Sequence, residues 1–185
     1  MGDGSSGSGA NMKDSKGVSV NINDERRPSA TVVRAFTDSK ITAVDAFPEL
    51  RGQIYNELDK ITQARFSGRG SSGITGIYSA SDKKIVIASN LPSSQIKQVV
   101  THELGHALGV TSPPGFKSDV AAFNSAFSEY RRANPQATNT SFASKISNYA
   151  TTAKSEAFAE AFSDYVRNGS NAAAESKLIM KHWRE

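Results

Sequence analysis

The chain reads as an α+β domain, and two observations carry that reading. Short β-branched runs cluster in its first half, and apolar residues at helical steps of three and four dominate its second half. At 185 residues it suits one domain with a real core, expected over residues 18–185. Seven of the first ten residues are Gly or Ser, so residues 1–17 are expected to be a disordered tail or expression tag.

Taken in order, "VSVNINDERRP" (Val18 to Pro28) alternates weakly, and "SATVVRAF" (Ser29 to Phe36) reads as a strand burying Val32, Val33 and Phe36. From Asp45 to Phe66, the steps Phe47, Leu50, Ile54, Leu58 and Ile61 predict one long amphipathic helix, with Pro48 in its first turn. "ITGIYS" (Ile74 to Ser79) and "KKIVIAS" (Lys83 to Ser89) follow as two short strands. A helix capped by Ser93 or Ser94 should run to Gly109, where "TSPPG" stops it. Further helices are expected from about Ser118 to Arg132, in "SFASKIS", in "TTAKSEAFAEAFSDYVRNG" and around Leu178, Ile179 and Trp183.

Composition excludes several function classes. With no cysteine, the chain has no disulfide, thiolate metal site or thiol nucleophile. Its 22 Lys+Arg against 18 Asp+Glu is a small excess without a basic run, so nucleic acid is not an expected partner. No apolar run reaches the ~18 residues of a membrane span, and no signal peptide is visible.

The chemistry concentrates in "QVVTHELGHALGV", Gln98 to Val110. His102 and His106 are four apart, so on a helix both imidazoles leave one face and can reach one ion. Glu103 lies about 100° round from His102, where a carboxylate can take a proton from water on that ion. A random chain of this composition would contain H-E-x-x-H only about two times in a thousand. A catalytic zinc needs a third protein ligand. No third histidine follows closely, and His182, beside Trp183, reads as a surface or packing residue, which leaves carboxylates. Glu156 and Glu160 in "KSEAFAEAFSDY" share one helical face. Glu156 is read as the ligand and Glu160 as the acceptor that fixes a histidine tautomer, with the exchange of the two roles left open.

H-E-x-G-H-A, then a tyrosine, six residues and E-x-F-x-E-A-F, resembles the anthrax lethal factor catalytic-domain family, which includes secreted Pro-Pro endopeptidases. The matching stretches are "THELGHAL" (Thr101 to Leu108) and "YATTAKSEAFAEAF" (Tyr149 to Phe162). The resemblance implies a zincin-like metallopeptidase domain of the gluzincin type, with a small mixed sheet, an edge strand over the active-site helix and a mainly helical C-terminal half. It implies one Zn2+ on His102, His106 and Glu156, Glu103 as general base and acid, and Glu160 behind a histidine. It also implies that the Tyr149 hydroxyl stabilises the oxyanion. An extended peptide or protein substrate would pair with the edge strand, either "KKIVIAS" or "ITGIYS". The implied protein is a monomeric secreted or delivered toxin or effector protease. Val110 to Asn148, including the helix-stopping Pro113-Pro114, has no counterpart in that pattern, so a proline preference is not implied. The alternative is a catalytically silent, zinc-stabilised peptide-binding domain.

Overall fold

A computed structural model describes residues 10–13, 17, 19–56, 60–67 and 73–185. Five strands form one mixed sheet: β1 (Ala10–Lys13), β2 (Ser19–Arg26), β3 (Lys60–Ser67), β4 (Gly76–Ser79) and β5 (Lys84–Ala88). Among the described residues seven α-helices accompany it: α1 (Ala30–Ala46), α2 (Arg51–Asn56), α3 (Ser93–Thr111), α4 (Asp119–Ala133), α5 (Asn139–Ser144), α6 (Lys154–Asn168) and α7 (Ala174–Trp183). The domain is α+β, with its strands before α3 and only helices after it.

The spatial order is β1-β2-β3-β5-β4. The β3–β5 pair is parallel and the other pairs antiparallel. "KKIVIAS" therefore supplies an interior strand, and "ITGIYS" supplies the edge, β4. That edge lies directly on α3. A Cβ added at Gly76 would stand 2.7 Å from Val99 Cγ1 and 3.2 Å from Glu103 Cγ. Glycine inside a strand marks such close approaches.

Several local readings need correction. Ser29 to Phe36 is not a strand but the cap and first turns of α1, with Ser29 Oγ accepting the Val32 N–H at 3.3 Å. The helix buries Val32, Phe36, Ser39 and Ala43, a stripe at steps of four, three and four. The long helix expected to reach Phe66 is shorter. A 3-10 turn at Pro48–Leu50 leads into α2, and the chain is extended again from Lys60. Phe47, Leu50 and Ile54 are buried, whereas Leu58 lies outside the described residues. Ala10–Lys13, expected within the tail, pair with β2; residues 1–9, also assigned to the tail, lie outside the described residues. Neither Ser93 nor Ser94 caps α3, because Pro92 holds the cap position and Ser93 is already helical. That helix passes Gly109 and ends at Ser112, whose backbone is left-handed at φ 44°.

The helical half shares one core. Trp183 is fully buried against Phe47 (5.2 Å between ring centroids), Phe158 (5.2 Å) and Phe162 (6.2 Å). Each such ring contributes about 1.5–3 kcal/mol through burial. Together they clamp α6 between α7 and the turn after α1. At the crossing of α3 and α6, a Cβ on Gly105 would stand 3.1 Å from Ala159 Cα and 3.1 Å from Phe162 Cβ. Two small residues thus let these backbones approach, with His102 and His106 flanking Gly105 and Glu156 and Glu160 flanking Ala159.

Candidate metal centre

The close crossing brings side chains from α3 and α6 into one buried cluster. His102 Nε2 and His106 Nε2 each lie 3.0 Å from the same oxygen, Glu156 Oε2. The two rings meet edge to face with centroids 4.7 Å apart. One ligating atom from each of His102, His106 and Glu156 falls within 4.8 Å of the others, and all three residues are buried. Glu160 stands on the far side of His102, whose Nδ1–H donates to Oε1 at 2.7 Å.

Position on the helix explains part of this. Glu156 is in the first turn of α6, where unpaired N–H groups and the helix dipole favour an anion. Burial works against its charge, but hydrogen bonds from both histidines outweigh that cost and hold its carboxyl well below the usual range. Burial similarly opposes the charge on His102, yet the hydrogen bonds of Glu156 and Glu160 and nearby carboxylates raise its pKa to about 10. Glu160 is also held below the ordinary value: burial opposes this, and the hydrogen bond and charge of His102 prevail.

This donor set fits a metal ion. A His102 that gives its Nδ1 proton to Glu160 has, when neutral, a lone pair on Nε2 facing an ionised carboxylate. Such an arrangement is repulsive unless a second proton or a cation stands between them. His106 aims its own Nε2 at the same oxygen. Tetrahedral ligands at ~2.0–2.1 Å from an ion are about 3.3 Å apart, close to the 3.0 Å separations here.

Glu103 faces the underside of β4, almost fully buried. Burial raises its pKa, only partly offset by the charges of His102 and His106 and by a hydrogen bond from the Tyr78 backbone. Tyr149 sits in a 3-10 turn (Tyr149–Thr152) just before α6. Its ring lies 5.8 Å from that of His102 and is 49% exposed. His182 lies apart from the cluster on α7, paired with Glu129 of α4. The sequence reading missed one contributor, Gly76, which seats β4 on Glu103. A glycine inside a β-branched run was the available signal for it.

Compared with protein-family models, curated proteins and solved structures, the chain finds no match.

Proposed function

We propose that this domain is a zincin-like zinc endopeptidase of the gluzincin type, cutting extended segments of protein substrates. The observation that carries the reading is the convergence of His102, His106 and Glu156 beneath an edge strand, with a buried glutamate between strand and cluster. His102, His106 and Glu156 would hold the ion, which when bound supplies Lewis acidity for water and for a peptide carbonyl.

The chain's own groups divide the remaining work. Glu103, its pKa raised by burial, takes a proton from the attacking water and returns it to the leaving amine. Tyr149, beside His102 and open to solvent, offers its hydroxyl to the carbonyl oxygen as negative charge develops there. Glu160 fixes the His102 tautomer and ring orientation. As the last strand in the described sheet order, β4 would pair with an extended peptide, so that affinity comes from main-chain pairing. Among the described residues no helix is long and apolar enough to cross a membrane. Action as a secreted or delivered effector is a proposal resting on the lethal factor resemblance.

The test is a diverse peptide library incubated with zinc-loaded protein, with and without chelator, beside Glu103→Ala. Chelator-sensitive cleavage at a defined motif, lost by at least about a thousandfold in Glu103→Ala while zinc is retained, is expected. A wild-type protein that retains zinc but cleaves nothing would leave the peptide-binding alternative. Normal turnover by Glu103→Ala would overturn the role of that residue.

A further inference from the structure

Residues 73–75, which lead into β4, form one wall of a hollow of about 620 Å3. Arg65 near the end of β3, Asn90 after β5 and Gln95 in the first turn of α3 line it from other sides. Leu91 lines it too, and also a second hollow of about 400 Å3 that holds Arg26 and Arg27. Among the described residues no acid lines either hollow, and none pairs with Arg65. Charge at the start of β4 is therefore of one sign. At the other end the signs are mixed: Asp82 accepts the Ser79 hydroxyl at 2.9 Å, Lys83 follows it, and Lys84 pairs with Glu25.

The first hollow lies within reach of a peptide held over the metal cluster. Residues 73–75 share it with Gln95, while Gly76 sits on Val99 and Glu103, so β4 and α3 advance together towards the cluster. Gln95 precedes His102 by seven residues, about 10 Å along a helix rising ~1.5 Å per residue. An extended peptide rises ~3.3 Å per residue, so about three residues cover that span.

We propose that this hollow is a subsite for an acidic side chain of an extended peptide, about three residues from the bond over the cluster. Arg65 supplies the counter-charge, its guanidinium fork matching a carboxylate, and Asn90 and Gln95 supply hydrogen bonds. A role in cleavage rests on the peptidase reading above, whereas the preference in peptide binding is measured without cleavage. Arg65 is exposed, so water weakens the pair and the selectivity it gives is modest.

Two measurements on zinc-loaded full-length protein test the subsite. In the first, wild type, Arg65→Ala and Arg65→Glu cut the peptide library, and residue preference is scored at each position around the cut. In the second, arrayed extended peptides carrying Glu, Gln or Lys at each position in turn are probed for binding by Glu103→Ala and by Glu103→Ala/Arg65→Glu. Wild type should favour Asp or Glu about two- to fivefold at a position roughly two to four residues from the cut, on one side only. Arg65→Ala should abolish that preference and Arg65→Glu should turn it towards Lys and Arg, with the choice beside the cut unchanged. On a peptide carrying the acid, Arg65→Ala should raise KM about two- to fivefold at unchanged kcat, because the pair forms equally in ground and transition states. Added salt should shrink the preference. Equal use of Glu, Gln and Lys by wild type, or an acid preference that survives Arg65→Glu, overturns the subsite. If wild type cuts no peptide, the peptidase reading fails and the array still decides. Glu-bearing peptides held best by Glu103→Ala, but not by the double variant, sustain the subsite; indifference to that residue removes it.

Discussion

Two pairs of helices here are each bridged by histidine and glutamate, yet in different surroundings. Between α3 and α6, two histidines and Glu156 are buried, the last with only 2% exposure, and Glu160 closes the far side. Between α4 and α7, His182 Nε2 contacts Glu129, and Nδ1 lies 2.9 Å from Glu185 Oε2. The side chains of Glu129 and Glu185 are 37% and 47% exposed, so water screens that group. A surface ion pair needs no further explanation. Two carboxylates drawn into a protein interior cost several kcal/mol unless each is matched by charge and hydrogen bonds. Burial and convergence, not the pairing of His with Glu, separate a cluster that could hold a metal from a surface bridge.

Glu156→Ala should break that contrast most severely. It removes the oxygen shared by both Nε2 atoms, and zinc affinity should fall by about a thousandfold or more. Glu160→Ala leaves all three ligands in place and should cost only about 10–100-fold. Zinc content after dialysis against graded chelator checks both; the reverse order would exchange the roles of the two glutamates.

The parts of this centre differed in how legible they were. His102, Glu103 and His106 declare themselves because one helix carries all three at a spacing that geometry makes meaningful. Glu156 and Glu160 were legible as a pair on one face, but which of them meets both histidines depends on how α6 crosses α3, where Gly105 lies against Ala159. The fold class was readable from where the β-branched runs and helical periods lie, and α3, α4, α6 and α7 fall near their expected places. The N-terminal half misled for physical reasons. In α1 the inward stripe includes a serine, Ser39, whose hydroxyl donates to the Ala35 carbonyl and lies 3.2 Å from that of Thr101. A buried stripe with a satisfied polar member does not read as apolar periodicity, and Val32-Val33 favours a strand locally. In β3, Ile61 continued a helical spacing begun at Phe47, although the chain had already become extended. Spacing alone does not register such a change.

An effect of intermediate size is expected from the protons held by the buried cluster. In the metal-free protein His102 remains protonated to about pH 10, because Glu156 and Glu160 together outweigh the desolvation that opposes its charge. Its raised pKa stabilises the metal-free fold fully below the usual 6.5, and that contribution is lost as pH rises towards 10. The depressed Glu156 acts in the opposite sense, stabilising above its usual 4.5 and ceasing to do so as pH falls through its lowered value. The apo site should therefore contribute most between about pH 4.5 and 6.5. Zinc must displace the His102 proton, so binding at pH 7 should release about one proton, and apparent affinity should rise about tenfold per pH unit. Calorimetry in buffers of different ionisation enthalpy measures the release; none at pH 7 would show that His102 is neutral in the apo site.

Glu129→Gln probes the other side of the contrast, and its expected effect is the smallest. The hydrogen bond with His182, joined by Lys181, holds the Glu129 carboxyl below its usual 4.5 against the opposing effect of burial. Its contribution is therefore present above pH 4.5 and fades as pH falls through the lowered value. Glutamine preserves shape and a hydrogen-bonding oxygen but removes the charge. Because the pair is exposed, the variant should keep wild-type zinc content and turnover, and its Tm at pH 7 should move by no more than about 3 °C. In acid the two melting temperatures should converge, and they should also converge at neutral pH as salt screens the pair. Loss of zinc from Glu129→Gln would mean that the α4–α7 bridge is coupled to the metal centre, and burial would no longer separate the two assemblies.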